Sequence, residues 1–306
     1  FWPDIQQQIF PADTMPVLYF GAQVGVGLYM FLVGLEFNTG LFKQQARSAI
    51  AVSLAGMLVP FTVAALLCIW LLDMPGLFAA DISYGNAALF LGAAIAITAF
   101  PMLARIIYER GLSGTSLGAL ALAAGAIDDA AAWTVMAVVL ASFGGGALLA
   151  VKAVVGGVAY ATLMFTKVTS WLQPLADRIE AKGEMSWGQF AFLLVLFAIS
   201  AYSMEWVGLH AVFGGFILGI AMPRGAIVEH LRKRLEKITI FVLLPMFFTY
   251  SGLKTQLTIL ADWEVMSVAL VILAASVFAK GIACWAAARL TGSDNRTAMA
   301  VGALMN

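Results

Sequence analysis

Charge is what this sequence has least of. Only 11% of its 306 residues are Asp, Glu, Lys or Arg, against 62% hydrophobic, whereas soluble domains carry roughly a quarter charged residues. With a mean hydropathy of +0.94, that scarcity excludes a soluble globular domain. Net charge is absent too, because 17 Lys+Arg offset 17 Asp+Glu. No excess of either sign points to nucleic acid or another polyion as a partner. Cysteine is nearly absent: Cys68 and Cys284 sit in apolar runs, with no Cys-x-x-Cys and no Cys/His spacing. A disulfide scaffold and a zinc site are thereby excluded. An initiator methionine is missing, and an apolar stretch from near Thr297 is cut at Asn306. That is the pattern expected of a portion of a longer membrane protein, lacking helices on both sides.

What is present is apolar runs long enough to cross hydrocarbon, which takes about 20 residues of helix. Nine spans are expected, near 15 to 37, 49 to 72, 85 to 107, 116 to 142, 146 to 166, 189 to 208, 210 to 222, 237 to 252 and 264 to 290, with a partial one from 297. The seventh and eighth are short, and Pro245 interrupts the eighth. Such spans are where transporters place irregular backbone. Cationic residues sort to one side: all except Lys152, Lys254 and Lys280 fall in alternate loops or helix ends, while Asp4, Asp13, Asp73, Asp81 and Asp262 fall in the others. Cytoplasmic loops retain Lys and Arg, so the cationic side is the inner one. The longest polar connection, Lys167 to Gly188, follows the Gly144-Gly145-Gly146 turn and the fifth span, and reads as an inner loop between two halves. Phe31-Leu32-Val33-Gly34-Leu35 and Phe248-Thr249-Tyr250-Ser251-Gly252-Leu253 end spans of opposite orientation. Either chance in an apolar sequence or an inverted-topology repeat accounts for that pair.

Three ionisable residues remain deep in the spans: Asp128 and Asp129 in the fourth, and Lys280 in the ninth. Each costs about 2.5–3.5 kcal/mol at a helix centre on insertion scales, which makes it a functional candidate. A structural salt bridge between two helices would use one carboxylate and leave the second unexplained. Burial and a neighbouring carboxylate favour a protonated acid, whereas a nearby ammonium favours the ionised one. A cluster of this composition can therefore hold either a proton or a hard monovalent cation. Adjacent helical positions point about 100° apart, so the two aspartates have different roles, one toward Lys280 and one toward the ion path. In span three, Thr98-Ala99-Phe100-Pro101 predicts a kinked or unwound helix, because proline lacks an N–H and clashes with the Ile97 carbonyl. A plain proline kink is the simpler reading; beside the acidic pair, the break also supplies oxygen ligands of the kind hard cations take. His210, opening the short seventh span, reads as a polar cap. Gly21 and Gly25 match a small-xxx-small helix contact.

An intramembrane aspartyl protease is the rival from another class, since paired carboxylates can perform acid/base hydrolysis. It needs facing aspartates from two helices, and no second deep Asp outside the 128–129 pair and no Gly-x-Gly-Asp occurs. A channel would need a continuous polar pore in place of one buried triad.

Several stretches together resemble the monovalent cation:proton antiporter-2 family, within it the branch of plant cation/H⁺ exchangers and their bacterial relatives. They are Thr98-Ala99-Phe100-Pro101-Met102-Leu103-Ala104-Arg105, Ala126-Ile127-Asp128-Asp129-Ala130-Ala131-Ala132-Trp133, Leu244-Pro245-Met246-Phe247-Phe248 and Lys280 with Ala288-Arg289-Leu290. The resemblance implies an all-α membrane protein with an inverted-repeat Na⁺/H⁺ antiporter-like fold of thirteen helices, with discontinuous crossing helices broken at Phe100, Pro101 and Asn306. It implies a scaffold helix in 1–48, a core transport domain in 49–142, a linker helix and cytoplasmic loop in 143–188, scaffold helices in 189–263 and a truncated second core repeat in 264–306. Asp129 resembles the principal cation- and proton-binding carboxylate, Asp128 the partner of Lys280, and Thr98 the residue at the helix break. The implied activity is exchange of Na⁺ for H⁺ by alternating access, with K⁺/H⁺ exchange as the alternative, because the Asp-Asp pair is of the sodium type while the surrounding sequence is nearer the plant branch. No cofactor and no enzymatic activity are implied. Partners are Na⁺, K⁺ or Li⁺, protons, the lipid bilayer of a bacterial inner or organellar membrane, and a second copy in a homodimer.

Overall fold

The computed structural model describes residues 9–37, 39–74, 77–79, 81–140, 147–255 and 257–306. No strand occurs among them, and nearly all are helical. Hydrocarbon offers no water to an open backbone, and a helix pairs its own N–H and C=O groups. In chain order the helices are α1 (Met15–Glu36), α2 (Thr39–Leu71), α3 (Tyr84–Ala96), α4 (Phe100–Glu109), α5 (Ser116–Leu140), α6 (Ala147–Leu163), α7 (Thr169–Lys182), α8 (Trp187–Val207), α9 (Ala211–Ala221), α10 (Ala226–Ile238), α11 (Leu244–Lys254), α12 (Trp263–Leu290) and α13 (Asn295–Leu304). Among the described residues, seven stretches are long and apolar enough to cross a membrane: Ala12–Glu36, Lys43–Leu71, Tyr84–Glu109, Val151–Lys182, Trp187–Val207, Ala226–Lys254 and Trp263–Leu290. The chain is an all-helical integral membrane protein. Of the other two expected spans, α5 has 25 residues and carries the acidic pair, while α9 has 11 and at 1.5 Å per residue falls short of crossing alone.

Several element boundaries differ from the sequence expectation. The polar connection from Lys167 is helical as far as Lys182, through a π turn at Met164–Val168 and then α7. Leu172, Ala176 and Ile179 form its buried stripe, so α7 is an amphipathic continuation of α6 in place of the expected loop. The same holds for span eight, which starts at Ala226, with Ile227, Leu231 and Leu235 buried beneath a polar outer face. Helix α2 begins ten residues before the expected 49. Pro245 does not break its helix, because a π turn at Thr239–Leu243 lies immediately before it and places Pro245 in the first turn of α11, where a missing N–H does least harm. The Gly144-Gly145-Gly146 turn lies outside the described residues.

The chain divides into two compact units, residues 1–37 with 155–265 and residues 38–154 with 266–306. In the first, α1 crosses α9 at backbone contact: a methyl on Gly34 would strike the Phe216 carbonyl, and one on Gly219 the Phe31 carbonyl. Gly25 meets the Leu243 backbone and Gly21 the Met246 side chain in the same way, so the Gly21/Gly25 pair is a helix contact. Arg224 donates to the Leu35 carbonyl and, at 2.9 Å, to the Phe37 carbonyl, closing the C-terminal end of α1. His210 caps α9, its Nδ1 accepting from the Val212 N–H at 3.3 Å.

In the second unit, α2 packs on α3 through Ala64, Cys68, Leu71, Ala87, Leu91 and Ile95, joined by Val268 of α12. Gly92 leaves room for the Phe61 ring, and Gly125 for Leu103 and Phe100. Leu54, Leu58, Leu66, Ile69, Leu273 and Phe278 are exposed, as expected of side chains facing lipid. Ser53, Thr98, Asp128 and Lys280 of this unit are buried, around the break between α3 and α4.

Candidate functional site

Helix α3 ends at Ala96, residues 97–99 leave helical conformation, and α4 starts at Phe100 with Pro101 in its first turn. The cause is local. Pro101 cannot donate to the Ile97 carbonyl and its ring excludes a continuous helix there, whereas at the start of a new helix its fixed φ is favourable. The break releases the last carbonyls of α3. Lys280 Nζ donates to one of them, that of Ala96, and Ser276 Oγ reaches that of Ile95 at 3.5 Å. A cation at a helix C-terminus also meets the negative end of its dipole.

Lys280 is 1% exposed and Asp128 fully buried. Lys280 Nζ lies 2.9 Å from Asp128 Oδ2, so these two residues form a buried ion pair. Thr98, 2% exposed, brings its Oγ1 to 2.6 Å from the same oxygen and to 2.9 Å from the Met305 carbonyl at the end of α13. Asp128 Oδ1 faces Ser53 Oγ of α2 at 3.5 Å. Asp129, one position on, is half-buried. Asn306 donates to the Val277 carbonyl of α12 at 2.8 Å, and Gly281 faces Gly302 and Asn306, which holds the C-terminal end of α13 on α12. Phe100 is fully buried under α5 and Pro101 half-buried. The Trp133 side chain lies outside the described set.

Counting protons gives this arrangement its chemistry. Thr98 has one hydroxyl hydrogen and two acceptors in reach. That hydrogen is therefore shared between the Asp128 carboxylate and the Met305 carbonyl. Asp128, Thr98, the Ala96 and Met305 carbonyls and Ser53 are also an all-oxygen set of the kind that binds hard monovalent cations, with the Lys280 ammonium among them. Of these, Ser53 and the two carbonyls were not singled out from the sequence. A lone hydroxyl in an apolar span carries little signal, because many bond their own helix, as Thr62 does to the Leu58 carbonyl at 2.9 Å.

Helix α13 is anchored at its other end by Asp294, whose Oδ2 accepts from the Arg296 and Thr297 N–H groups at 3.0 and 3.2 Å. The Thr297 hydrogen bonds foremost hold Asp294 below the usual carboxylate range. A folded-state value below the unfolded one means stabilisation that is complete above the unfolded pKa and lost as pH falls through the folded pKa. Asp294→Ala is therefore expected to lower the thermal unfolding midpoint at neutral pH, with the gap to wild type closing in acid. Asp294→Asn keeps an acceptor and loses less. Equal midpoints for D294A and wild type at neutral pH would remove the cap from the account.

The sequence profile of the family described as sodium/hydrogen exchanger, transmembrane, matches residues 5–306. The Na(+)/H(+) antiporter NhaS4 of Synechocystis is 34% identical over 314 residues, 99% of this chain and 74% of that protein. Cation/H(+) antiporter 20 of Arabidopsis thaliana is 28% identical over 98% of this chain and 37% of its own length. K(+)/H(+) antiporter 1 of Saccharomyces cerevisiae is 30% identical over 99% of this chain and 36% of its own. The chain thus spans little more than a third of these two eukaryotic relatives. The solved structure of the sodium proton antiporter MjNhaP1 from Methanocaldococcus jannaschii matches 97% of this chain and 74% of that one, with a TM-score of 0.51 at 14% identity, a likeness of fold alone. The profile match over nearly the whole length, on a membrane fold with a buried Asp–Lys pair at a broken helix, makes this chain a member of the sodium/hydrogen exchanger family.

Proposed function

We propose that the protein is a secondary active transporter that exchanges a monovalent cation, Na⁺ in the first place, for H⁺ by alternating access. The observation that carries this reading is the fully buried Asp128–Lys280 pair at the break between α3 and α4, with half-buried Asp129 beside it. A buried ion pair is held by a narrow balance, since desolvation costs about as much as the Coulomb attraction returns. A cation or a proton arriving at the aspartates can therefore displace the ammonium at small net cost. Asp129 takes the cation or the proton, and Asp128 yields Lys280 while the site is occupied. A cation and a proton compete for the same carboxylates, which couples the two flows without a cofactor. In this reading the second unit, which holds Asp128, Asp129, Thr98 and Lys280, is the transport core, and the first is the scaffold.

The acidic pair favours Na⁺. K⁺ is the second reading, favoured by the likeness to the yeast protein whose name records K⁺/H⁺ exchange. The test is proton flux in liposomes carrying the protein, on additions of Na⁺, Li⁺ and K⁺ at several pH values and with an imposed membrane potential. Dissipation of a pH gradient by Na⁺ or Li⁺ well ahead of K⁺ is the expected result. Dissipation by K⁺ alone would move the assignment to the second reading, and none with any of the three would overturn exchange itself.

A further inference from the structure

We infer that Ser53 is a positioning residue for the exchange site: its hydroxyl is the donor that Asp128 keeps when Lys280 lets go. The inference deepens the reading above and rests on it for its transport consequences. The two oxygens of Asp128 are served unequally. Oδ2 has Lys280 at 2.9 Å and Thr98 at 2.6 Å, while the partner of Oδ1 among the described residues is Ser53 at 3.5 Å. Ser53 is 1% exposed, so its hydroxyl is turned away from the bulk surroundings. Unlike Thr62 and Thr162, whose hydroxyls turn back to carbonyls of their own helices at 2.9 and 2.8 Å, Ser53 is turned across to α5.

The surroundings hold it there. One turn further along α2, a methyl added to Gly56 would lie 3.7 Å from Lys280 Cε and would crowd Cys284 Sγ. Cys284 in turn reaches the Val52 carbonyl at 3.7 Å. The face of α2 that carries Ser53 therefore lies against both members of the ion pair. Thr98 is a divided donor, because the Met305 carbonyl competes for its one hydrogen. Ser53 has no rival acceptor among the described residues. When the ammonium withdraws, Ser53 Oγ, 3.5 Å from Oδ1, is the hydroxyl that stays on that oxygen, with Thr98 on the other. Donation to the ionised form favours that form, so Ser53 biases the site toward the cation and against the proton.

The test uses the whole chain reconstituted in liposomes, with Ser53→Ala and Ser53→Thr beside wild type. S53A is expected to raise the half-saturating cation concentration about tenfold, the share of one hydrogen bond to a charged group, more than it lowers the maximal rate. It is expected to move the acid limb of exchange up by about one pH unit, the equivalent of that tenfold. S53T, which keeps the hydroxyl, restores both. A second readout needs no transport: in infrared spectra of the purified protein titrated into acid, where Asp128 takes up its proton, the carboxylic band that vanishes in Asp128→Asn moves to higher frequency in S53A. Wild type inactive with every cation would overturn the exchange reading, and the infrared shift would still decide Ser53. Wild-type half-saturation, an unmoved acid limb and an unmoved band in S53A would overturn the inference. If S53A does not fold, Ser53→Cys, with similar volume and a weak donor, serves in its place with the same expected shifts.

Discussion

Asp129→Asn is expected to reduce cation-driven proton exchange in liposomes by about a thousandfold. A unit charge about 4 Å from a carboxylate gains about 4 kcal/mol at an effective dielectric constant near 20, and the amide returns little of that. The amide also takes up no proton in the working range, so one substitution removes both halves of the exchange. The change is nearly isosteric and Asp129 is half-buried, so the fold is expected to stand, which purification as a monodisperse species would check. A D129N protein exchanging within tenfold of wild type would take Asp129 out of the transport path.

Lys280→Met has its largest effect on stability. Asp128 is fully buried and its Oδ2 lies 2.9 Å from the ammonium. Removing one member of such a pair leaves an uncompensated charge and costs about 3–5 kcal/mol. The methionine stem fits beside Gly56 much as the lysine stem does, so packing contributes little to that cost. The double variant Asp128→Asn with Lys280→Met carries no stranded charge and is expected to recover most of the loss, read as the unfolding midpoint in detergent. A K280M protein as stable as wild type, or a double variant no better than K280M, would show that the pair is not what holds α5 and α12 together. On transport, K280M is expected to retain part of its exchange with an altered pH profile, because Asp129 is untouched.

These two expectations separate what was legible in the sequence from what was not. Asp128, Asp129 and Lys280 stand out because charge in an apolar span is costly and therefore rare. The break at Thr98-Ala99-Phe100-Pro101 was legible because proline acts on its own chain, four residues back. The sequence expectation makes α7 and α10 loop or helix end, although their apolar positions recur every three or four residues, as Leu172, Ala176 and Ile179 do. A search for continuous apolar runs misses an amphipathic helix that continues a span into the polar interface. That the break frees oxygens beside the acidic pair was legible, but Ser53, the Met305 carbonyl and the choice of Ala96 among the freed carbonyls were not, because every residue has a carbonyl and many spans have a hydroxyl.

By itself, then, the sequence determined that the chain lives in lipid, that three ionisable residues fall within its apolar spans, and that a helix is interrupted just before Pro101. Each follows from a cost that a residue bears wherever its neighbours lie. The tertiary structure decided that Asp128 lies against Lys280, that Thr98 is shared between Asp128 and Met305, and that Ser53 faces the other carboxylate oxygen. Those choices depend on which faces of α2, α5, α12 and α13 meet, and hydrogen bonding acts over about 3 Å, a distance that only packing sets.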